Sequence, residues 1–115
     1  MRKSKLEGLL GFASRSKNLI TGSNACLDKI PKRAVSLVII SEDVGENTRK
    51  KLMSKCKTYG IDYRIFGKAE DLSHITGKID KGIFGITDKG FADSICKEID
   101  LIQSEREVSH GEKGI

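Results

Sequence analysis

Tryptophan is absent from this 115-residue chain, proline occurs once, and aromatic residues make up only 5% of it. The longest run of aliphatic residues covers positions 37–40, whereas a membrane-spanning helix needs about 20 apolar residues. The basic residues 2–5 are followed by Glu7 and Gly8 before any long apolar stretch, which does not fit a signal peptide. We therefore expect a cytoplasmic protein without a membrane segment.

Cysteine and histidine are too few and too widely spaced to indicate a disulfide framework or a metal site. The three cysteines are Cys26, Cys56 and Cys96, and an odd number without a signal peptide argues against disulfides. Each falls on the apolar side of a predicted helix, where cysteine behaves as a small hydrophobic residue. His74 and His110 lie far from each other and from the cysteines. We predict buried thiols, no bound metal and no cofactor.

The motifs of several large enzyme classes are also missing. No G-x-S-x-G elbow, Walker loop or G-x-G-x-x-G turn occurs in the sequence. Residues 78–81 lack the glycines that cradle a phosphate, and two histidines leave few options for acid–base catalysis. A carboxylate-based site stays open, because acidic residues are common and their spacing in sequence is uninformative. The sequence thus predicts a protein that is not an enzyme.

Positive charge is present in excess. The chain has 21 lysine and arginine residues against 16 aspartate and glutamate residues, which gives a formal net charge of +5 and a pI near 9.2. A basic surface concentrates polyanions through long-range attraction. The same charge also serves solubility, so it indicates nucleic acid only in combination with a surface that fits one.

Helical and strand patterns alternate along the chain. Apolar residues recur at helical spacing in several segments, and short β-branched runs separate them. Predicted helices cover residues 4–14, 23–30, 44–59, 68–76 and 88–102, and predicted strands cover 19–21, 35–40, 61–66 and 82–87. This alternation is typical of a sheet with helices on both faces, so we predict an α/β fold. Residues 1–104 should form a single domain, with residues 105–115 as a polar, disordered tail.

Residues at the predicted helix ends support these boundaries. Asp43 and Glu46 have the spacing of a capping box, which predicts that Asp43 caps the third helix. Gly60 and Gly77 are placed to end the third and fourth helices. Asp88, or Thr87 before it, should cap the last helix.

The segment Thr21–Asn24 lies at a predicted strand-to-helix junction. A helix start presents unpaired backbone N–H groups and a positive dipole end, which suit an anion. Gly22 has no Cβ atom, so a nucleic-acid backbone or base edge can approach it closely. The planar amide of Asn24 offers a donor and an acceptor that suit a base edge. The alternative is that Gly22 and Ser23 simply begin a helix.

The loop Gly77–Lys81 is the second candidate segment. Lys78 and Lys81 flank Ile79, so one apolar side chain stands between two cations. A loop that binds phosphates with an apolar tip has this composition. An ordinary solvated turn has it too, and the sequence alone does not separate the two.

Several segments together resemble a known family, the L7Ae-type ribosomal proteins that bind kink-turn RNA, and among them the bacterial YlxQ-like members. The resemblance covers about residues 4–102, in the order and spacing of the elements and in local sequence. The segments that carry it are Leu9–Arg15, Ile20–Asn24, Ser36–Ser41, Asp43–Leu52, Asp71–Lys78 and Ile83–Ala92.

The resemblance implies a three-layer α/β/α sandwich with a mixed, mostly four-stranded sheet. It also implies binding to a bent internal loop of RNA, whose sheared G·A pairs lie against the start of the second helix. Members often carry Gly-x-Asn-Glu-x-x-Lys at that helix. Gly22 and Asn24 match this pattern, whereas Ala25 replaces the glutamate and Asp28 replaces the lysine.

The predicted partner is therefore a structured RNA, bound by a monomer in association with the ribosome or with translation. Backbone and base-edge contacts are assigned to the junction, phosphate contacts to nearby cations, and coverage of a splayed nucleotide to the loop. The predicted junction residues are Gly22, Ser23 and Asn24. The predicted phosphate-binding cations are Arg15, Lys17 and Lys29. The predicted loop residues are Ile79 with Lys78 and Lys81.

Two other functions stay open. One is a protein-interaction module that serves as a ribosome or assembly-factor partner. The other is a substrate-recognising domain, because relatives of this kind occur fused to RNA methyltransferases. We expect no second domain in this chain to carry such chemistry.

Overall fold

A computed structural model describes the backbone of residues 2–79 and 82–113, and the side chains of residues 4–79 and 82–105. Helices and strands alternate along it, as the sequence predicted. The helices are α1 (Arg2–Arg15), α2 (Ser23–Lys29), α3 (Glu46–Tyr59), α4 (Ala69–Thr76) and α5 (Lys89–Lys113). The strands are β1 (Leu19–Thr21), β2 (Leu37–Ile40), β3 (Asp62–Ile65) and β4 (Ile83–Ile86).

The four strands form one mixed sheet in the order β1-β4-β2-β3. Strand β4 is antiparallel to both of its neighbours, whereas β2 and β3 are parallel. Parallel neighbours need a crossover connection, and α3 supplies it between β2 and β3. The predicted mixed sheet is confirmed.

Side chains of the sheet alternate between two hydrophobic cores. In β2, Leu37 and Ile39 point to one face, and Val38 and Ile40 point to the other. Helices α1, α4 and α5 cover the first face, with a core that includes Leu6, Leu10, Leu72, Phe84, Ile95 and Ile99. Helices α2 and α3 cover the second face, with a core that includes Cys26, Ile30, Leu52, Cys56 and Ile83. This arrangement confirms the predicted three-layer α/β/α sandwich.

The three cysteines lie inside these cores, as predicted. Cys26, Cys56 and Cys96 are all buried. Burial raises the pKa of the Cys56 thiol to about 11, and it also raises the pKa of Cys96. Both thiols are therefore protonated at neutral pH, which suits apolar packing.

One predicted helix cap is wrong, and its carboxylate has another role. The N-cap of α3 is Gly45, which makes no side-chain capping bond. Asp43 Oδ1 instead accepts hydrogen bonds from the Ser41 hydroxyl group at 2.7 Å and from the Ala69 backbone N–H at 3.1 Å. Asp43 thus caps α4, which is distant in sequence but adjacent in the fold. Both hydrogen bonds lower the pKa of the Asp43 carboxyl group, and the bond from Ser41 has the larger effect.

The other predicted helix ends are confirmed. Gly60 and Gly77 end α3 and α4 with left-handed backbone angles. Asp88 Oδ2 accepts a 2.8 Å hydrogen bond from the Phe91 backbone N–H, so Asp88 caps α5.

The last helix is longer than the sequence suggested. The backbone of α5 continues to Lys113, through most of the segment that was expected to be a disordered tail after residue 104. Polar residues without an apolar stripe gave no sign of this continuation. No helix in the described part of the chain is long and apolar enough to cross a membrane.

Candidate nucleic-acid interface

An open groove of about 710 Å³ lies at the end of the sheet where α2 and α3 both begin. The start of α2 forms one wall, the turn before α3 forms the other, and the first residue of β4 contributes to the lining. Its lining residues are Thr21, Gly22, Ser23, Asn24, Ala25, Asp43, Val44, Gly45, Thr48 and Ile83. The three junction residues predicted from sequence therefore share one concave surface.

Gly22 fixes the shape of the first wall. Its φ angle of 97° is in the region that side-chain-bearing residues rarely adopt. The Gly22 N–H donates to the Ile83 carbonyl oxygen at 2.9 Å, and the Gly22 carbonyl oxygen accepts from the Cys26 N–H at 3.1 Å. Gly22 thus joins the sheet to α2 and forms part of the groove lining.

Asn24 is the exposed polar side chain of this wall. Among the described residues its amide makes no hydrogen bond, and it lines the groove. Ser23 and Thr48 are half-buried hydroxyl residues on either side of the groove. Together these groups can bind a polar, planar ligand edge.

Asp43 gives the groove a negative charge that the sequence analysis did not assign to the site. Its lowered pKa keeps the carboxylate ionised at neutral pH. A carboxylate repels phosphate but accepts hydrogen bonds from amino groups on base edges. The groove itself therefore suits bases better than phosphates. The spacing from Asp43 to Glu46 drew attention to this residue, but for the wrong role.

The loop between α4 and β4 is held at both ends. At its start, the Ser14 hydroxyl group donates a 2.6 Å hydrogen bond to the Thr76 carbonyl oxygen. At its end, a Cβ atom on Gly82 would overlap the side chains of Ser41 and Val44, so the backbone passes very close to the groove wall.

Ile79 is 98% exposed within this loop. It precedes the groove residue Ile83 by four positions, so the two lie within about 14 Å of each other. Lys78 is also exposed, whereas Lys81 lies outside the described residues. The structure thus brings Lys78 and Ile79 to the neighbourhood of the groove, but not into its lining.

Arg15 and Lys17 lie at the other end of β1. Strand β1 pairs with β4 in a register that places Asn18 beside Thr87 and Gly22 beside Ile83. The three strand residues between them separate Asn18 from Gly22 by about 13 Å. The Arg15 guanidinium group sits 5.6 Å from the centre of the Phe12 ring. These cations are therefore near the start of the loop rather than in the groove.

Lys29 is also outside the groove. It is the last residue of α2, about 9 Å along the helix axis from Ser23. The preceding residue, Asp28, is exposed and pairs with Lys32 at 3.2 Å. Among the described side chains, no group of three histidine, cysteine or acidic residues could hold a metal ion.

Two curated bacterial proteins are similar to this chain over most of their length. RNA-binding protein YlxQ of Bacillus subtilis (strain 168) is 30% identical over 92 residues, which cover 80% of this chain and 92% of that protein. RNA-binding protein YlxQ of Enterococcus faecium is 35% identical over 91 residues, which cover 78% of this chain and 86% of the relative.

Solved structures share the fold. A Bacillus halodurans protein with unknown function has a TM-score of 0.81 and 35% identity, and the match covers 84% of this chain and 97% of that one. The Giardia lamblia 15.5kD RNA binding protein has a TM-score of 0.71 over 90% of this chain and 88% of its own. Its 16% identity makes it a relative in fold alone.

The family comparison covers both the groove and the loop. The profile of the ribosomal protein L7Ae/L30e/S12e/Gadd45 family matches residues 4–96. That range includes both groove walls, the loop between α4 and β4, and every strand of the sheet. With the sandwich fold and the two YlxQ relatives, this match leads to one conclusion: the chain belongs to the ribosomal protein L7Ae/L30e/S12e/Gadd45 family.

Proposed function

We propose that this chain is a non-enzymatic, cytoplasmic protein that binds structured, kink-turn-like RNA in association with the ribosome or translation. The observation that supports this most is the groove formed by Gly22, Ser23 and Asn24, with the exposed Ile79 loop beside it. The relatives named RNA-binding protein YlxQ and the family's ribosomal members support the class of partner.

In this proposal the groove receives the base edges of a bent internal loop. The backbone of Gly22 lets a base approach closely, and the Asn24 amide pairs with one of its edges. Asp43 accepts a hydrogen bond from an amino group of a neighbouring base. Base edges are exposed in internal loops and hidden in the deep groove of an RNA duplex, so this site favours looped RNA.

The cations act around the groove rather than inside it. Ile79 covers a splayed nucleotide, while Lys78 and Lys81 neutralise the phosphates beside it. Arg15 and Lys17 meet phosphates beyond the start of the loop. Lys29 meets the backbone at the far end of α2. Monomeric binding follows from a site that lies within one chain.

A second candidate is a protein-interaction module, and one observation favours it. The Phe12 ring is 59% exposed on α1, where its centre lies 6.1 Å from that of Phe91. An exposed aromatic side chain with an aromatic neighbour is common at protein interfaces. Crosslinking in cells followed by identification of the bound molecules separates the candidates, because only the first predicts enrichment of specific RNA.

A binding titration with purified protein tests the proposal directly. We expect an RNA with a bent internal loop to bind more tightly than a perfect duplex of the same length. The affinity should fall with salt, with a slope of roughly 0.9 per phosphate neutralised, which is the value for duplex DNA. Equal affinities for looped and duplex RNA across the salt series would contradict the proposed recognition of shape.

A further inference from the structure

One side of helix α3 begins at the groove wall and continues away from it. Thr48 lines the groove, and Lys51 and Lys55 follow it by three and seven residues. Residues at this spacing lie on one side of an α-helix. Lys51 is about 4.5 Å along the helix axis from Thr48, and Lys55 is about 10 Å along it. The two lysines therefore form a positive track that begins at the groove wall.

Helix α3 is strongly basic, unlike α4 and α5 on the opposite face of the sheet. Helix α3 carries five cations against one acidic residue: Arg49, Lys50, Lys51, Lys55 and Lys57 against Glu46. Helix α4 has Glu70 and Asp71 in its first turn and no lysine or arginine. Helix α3 therefore attracts polyanions next to the groove, although α1 on the opposite face is also basic, with four cations against one acidic residue.

Ion pairing gives no reason for these two lysines, although Lys55 lies over the ring of Tyr59. Like charges four residues apart weaken a helix slightly, so the pair Lys51 and Lys55 does not stabilise α3. Among the described side chains, neither takes part in an ion pair, whereas the neighbouring Lys50 pairs with Glu46 at 3.3 Å. Lys55 Nζ is 6.0 Å from the centre of the Tyr59 ring. Lys51 is exposed and Lys55 is half-buried beside Tyr59, so both lie at the surface of α3 and Lys51 is the more accessible of the two.

We infer that Lys51 and Lys55 bind the phosphate backbone of a double-helical RNA stem that leaves the groove along α3. This inference rests on the proposed function and extends it, because it names a flanking stem as part of the ligand. The internal loop occupies the acidic, base-reading groove, and the stem lies on the basic helix beside it. The two surfaces separate base recognition from charge neutralisation.

Two RNAs and three proteins test this inference. The RNAs share one internal loop, and they differ in whether the flanking stems are long or cut to the minimum that closes the loop. The proteins are the wild type, the variant Lys51→Gln/Lys55→Gln, and the control Lys89→Gln/Lys97→Gln on α5. The control removes the same charge from the opposite face of the sheet. Affinity is measured over a salt series, and melting temperature over the three proteins.

We expect the α3 variant to lose on the order of tenfold in affinity for the long-stem RNA, and its salt slope to fall by about 1 per lysine. Stem shortening should weaken the wild type and the α5 control but leave the α3 variant nearly unchanged. The melting temperature of the α3 variant should stay the same as that of the wild type or rise slightly. Equal losses for the two variants, or an equal response of all three proteins to stem shortening, would overturn the inference while leaving RNA binding intact. A wild type that binds neither RNA would overturn both the inference and the proposed function.

Discussion

Ser14 and Thr76 are 62 positions apart in sequence, yet the Ser14 hydroxyl group donates a buried 2.6 Å hydrogen bond to the Thr76 carbonyl oxygen. This bond joins the end of α1 to the end of α4, immediately before the loop that contains Ile79. A second bond, from the Lys78 backbone N–H to the Thr76 hydroxyl oxygen at 3.2 Å, fixes the first residues of the loop. The loop is thus anchored to the helix layer that α1, α4 and α5 form.

Replacing Ser14 should loosen this anchor. Ser14→Ala leaves a buried carbonyl oxygen without its donor, and we expect a loss of about 1–2 kcal/mol in the free energy of unfolding by urea. The matched control is Ser16→Ala, because Ser16 donates a similar 2.8 Å bond to the Phe12 carbonyl oxygen in an exposed position. The control should cost less than about 0.5 kcal/mol. Similar losses in the two variants would contradict a structural role for the buried bond.

Gly85 should not tolerate a side chain. A Cβ atom there would lie 2.9 Å from Ile20 Cγ1 and 3.0 Å from Cys26 Sγ, so α2 packs directly on the backbone of β4. We expect Gly85→Ala to destabilise the protein by about 1–3 kcal/mol, because the core must shift to make room. Gly8→Ala in α1 meets open space and should stabilise by roughly 0.5–1 kcal/mol. Thermal unfolding of both variants checks this opposite pair of signs.

Asn24 should matter for binding and not for folding. Its amide is exposed in the groove, so Asn24→Ala should weaken looped-RNA binding by roughly 1–3 kcal/mol if it reads a base edge. The melting temperature should barely change. Asn47→Ala is the control, since Asn47 is an exposed amide in the first turn of α3 that does not line the groove. A drop in stability without a change in affinity would make Asn24 a structural residue.

Asp28 should oppose RNA binding. It lies one turn along α2 from Asn24, so a phosphate of the bound RNA should come close to it. Asp28→Lys replaces a repulsion from this phosphate with an attraction to it. The variant should therefore tighten RNA binding by on the order of 1–2 kcal/mol at low salt and by less at high salt.

The exposed pair between Asp28 and Lys32 is lost in this variant, at a cost of about 0.5 kcal/mol at most. Asp93→Lys is the matched control, because Asp93 forms a similar exposed pair with Lys89 at 3.0 Å on α5. If both variants tighten binding equally, and do so for duplex and looped RNA alike, then the start of α2 is not the binding face.

The cap that Asp43 provides to α4 should depend on pH. Hydrogen bonds from Ser41 and Ala69 lower the pKa of this carboxyl group below 3.8, its ordinary value. The stabilisation is therefore complete above pH 3.8 and is lost as the pH falls through the lower pKa of the folded protein. We expect the difference in unfolding free energy between the wild type and Asp43→Asn to shrink on acidification below pH 3.8. A difference that does not change with pH would mean that the charge of Asp43 has no part in the cap.

The features that sequence predicted correctly depend on neighbouring residues. The helix ends at Gly60 and Gly77 and the cap of Asp88 are all decided within one helical turn. The two-sided burial of residues 37–40 follows from an uninterrupted aliphatic run. The junction at Gly22 was found because its strand and helix are adjacent in the chain.

The features that sequence missed depend on contacts between distant elements. Asp43 has the spacing for a local cap, but its Oδ1 atom instead accepts a hydrogen bond from the backbone N–H of Ala69, which is 26 positions away. Arg15 and Lys17 are an exception, because the predicted strand 19–21 already separated them from Gly22 and the structure has that strand as β1. The lysine stripe on α3 is visible in the sequence, but its connection to the groove requires the position of Thr48.

Strand β2 contributes alternate side chains to both hydrophobic cores, and all four of its residues are fully buried. Neither helix layer can detach without exposing this strand, so we expect the sandwich to unfold as one cooperative unit. A ligand bound at α2 and α3 should then slow amide hydrogen exchange in β2, and also in the inner turns of α1 and α5, where exchange requires global opening. Ligand binding on one face of the sheet is thereby measurable as slower amide hydrogen exchange in the helices on the other face.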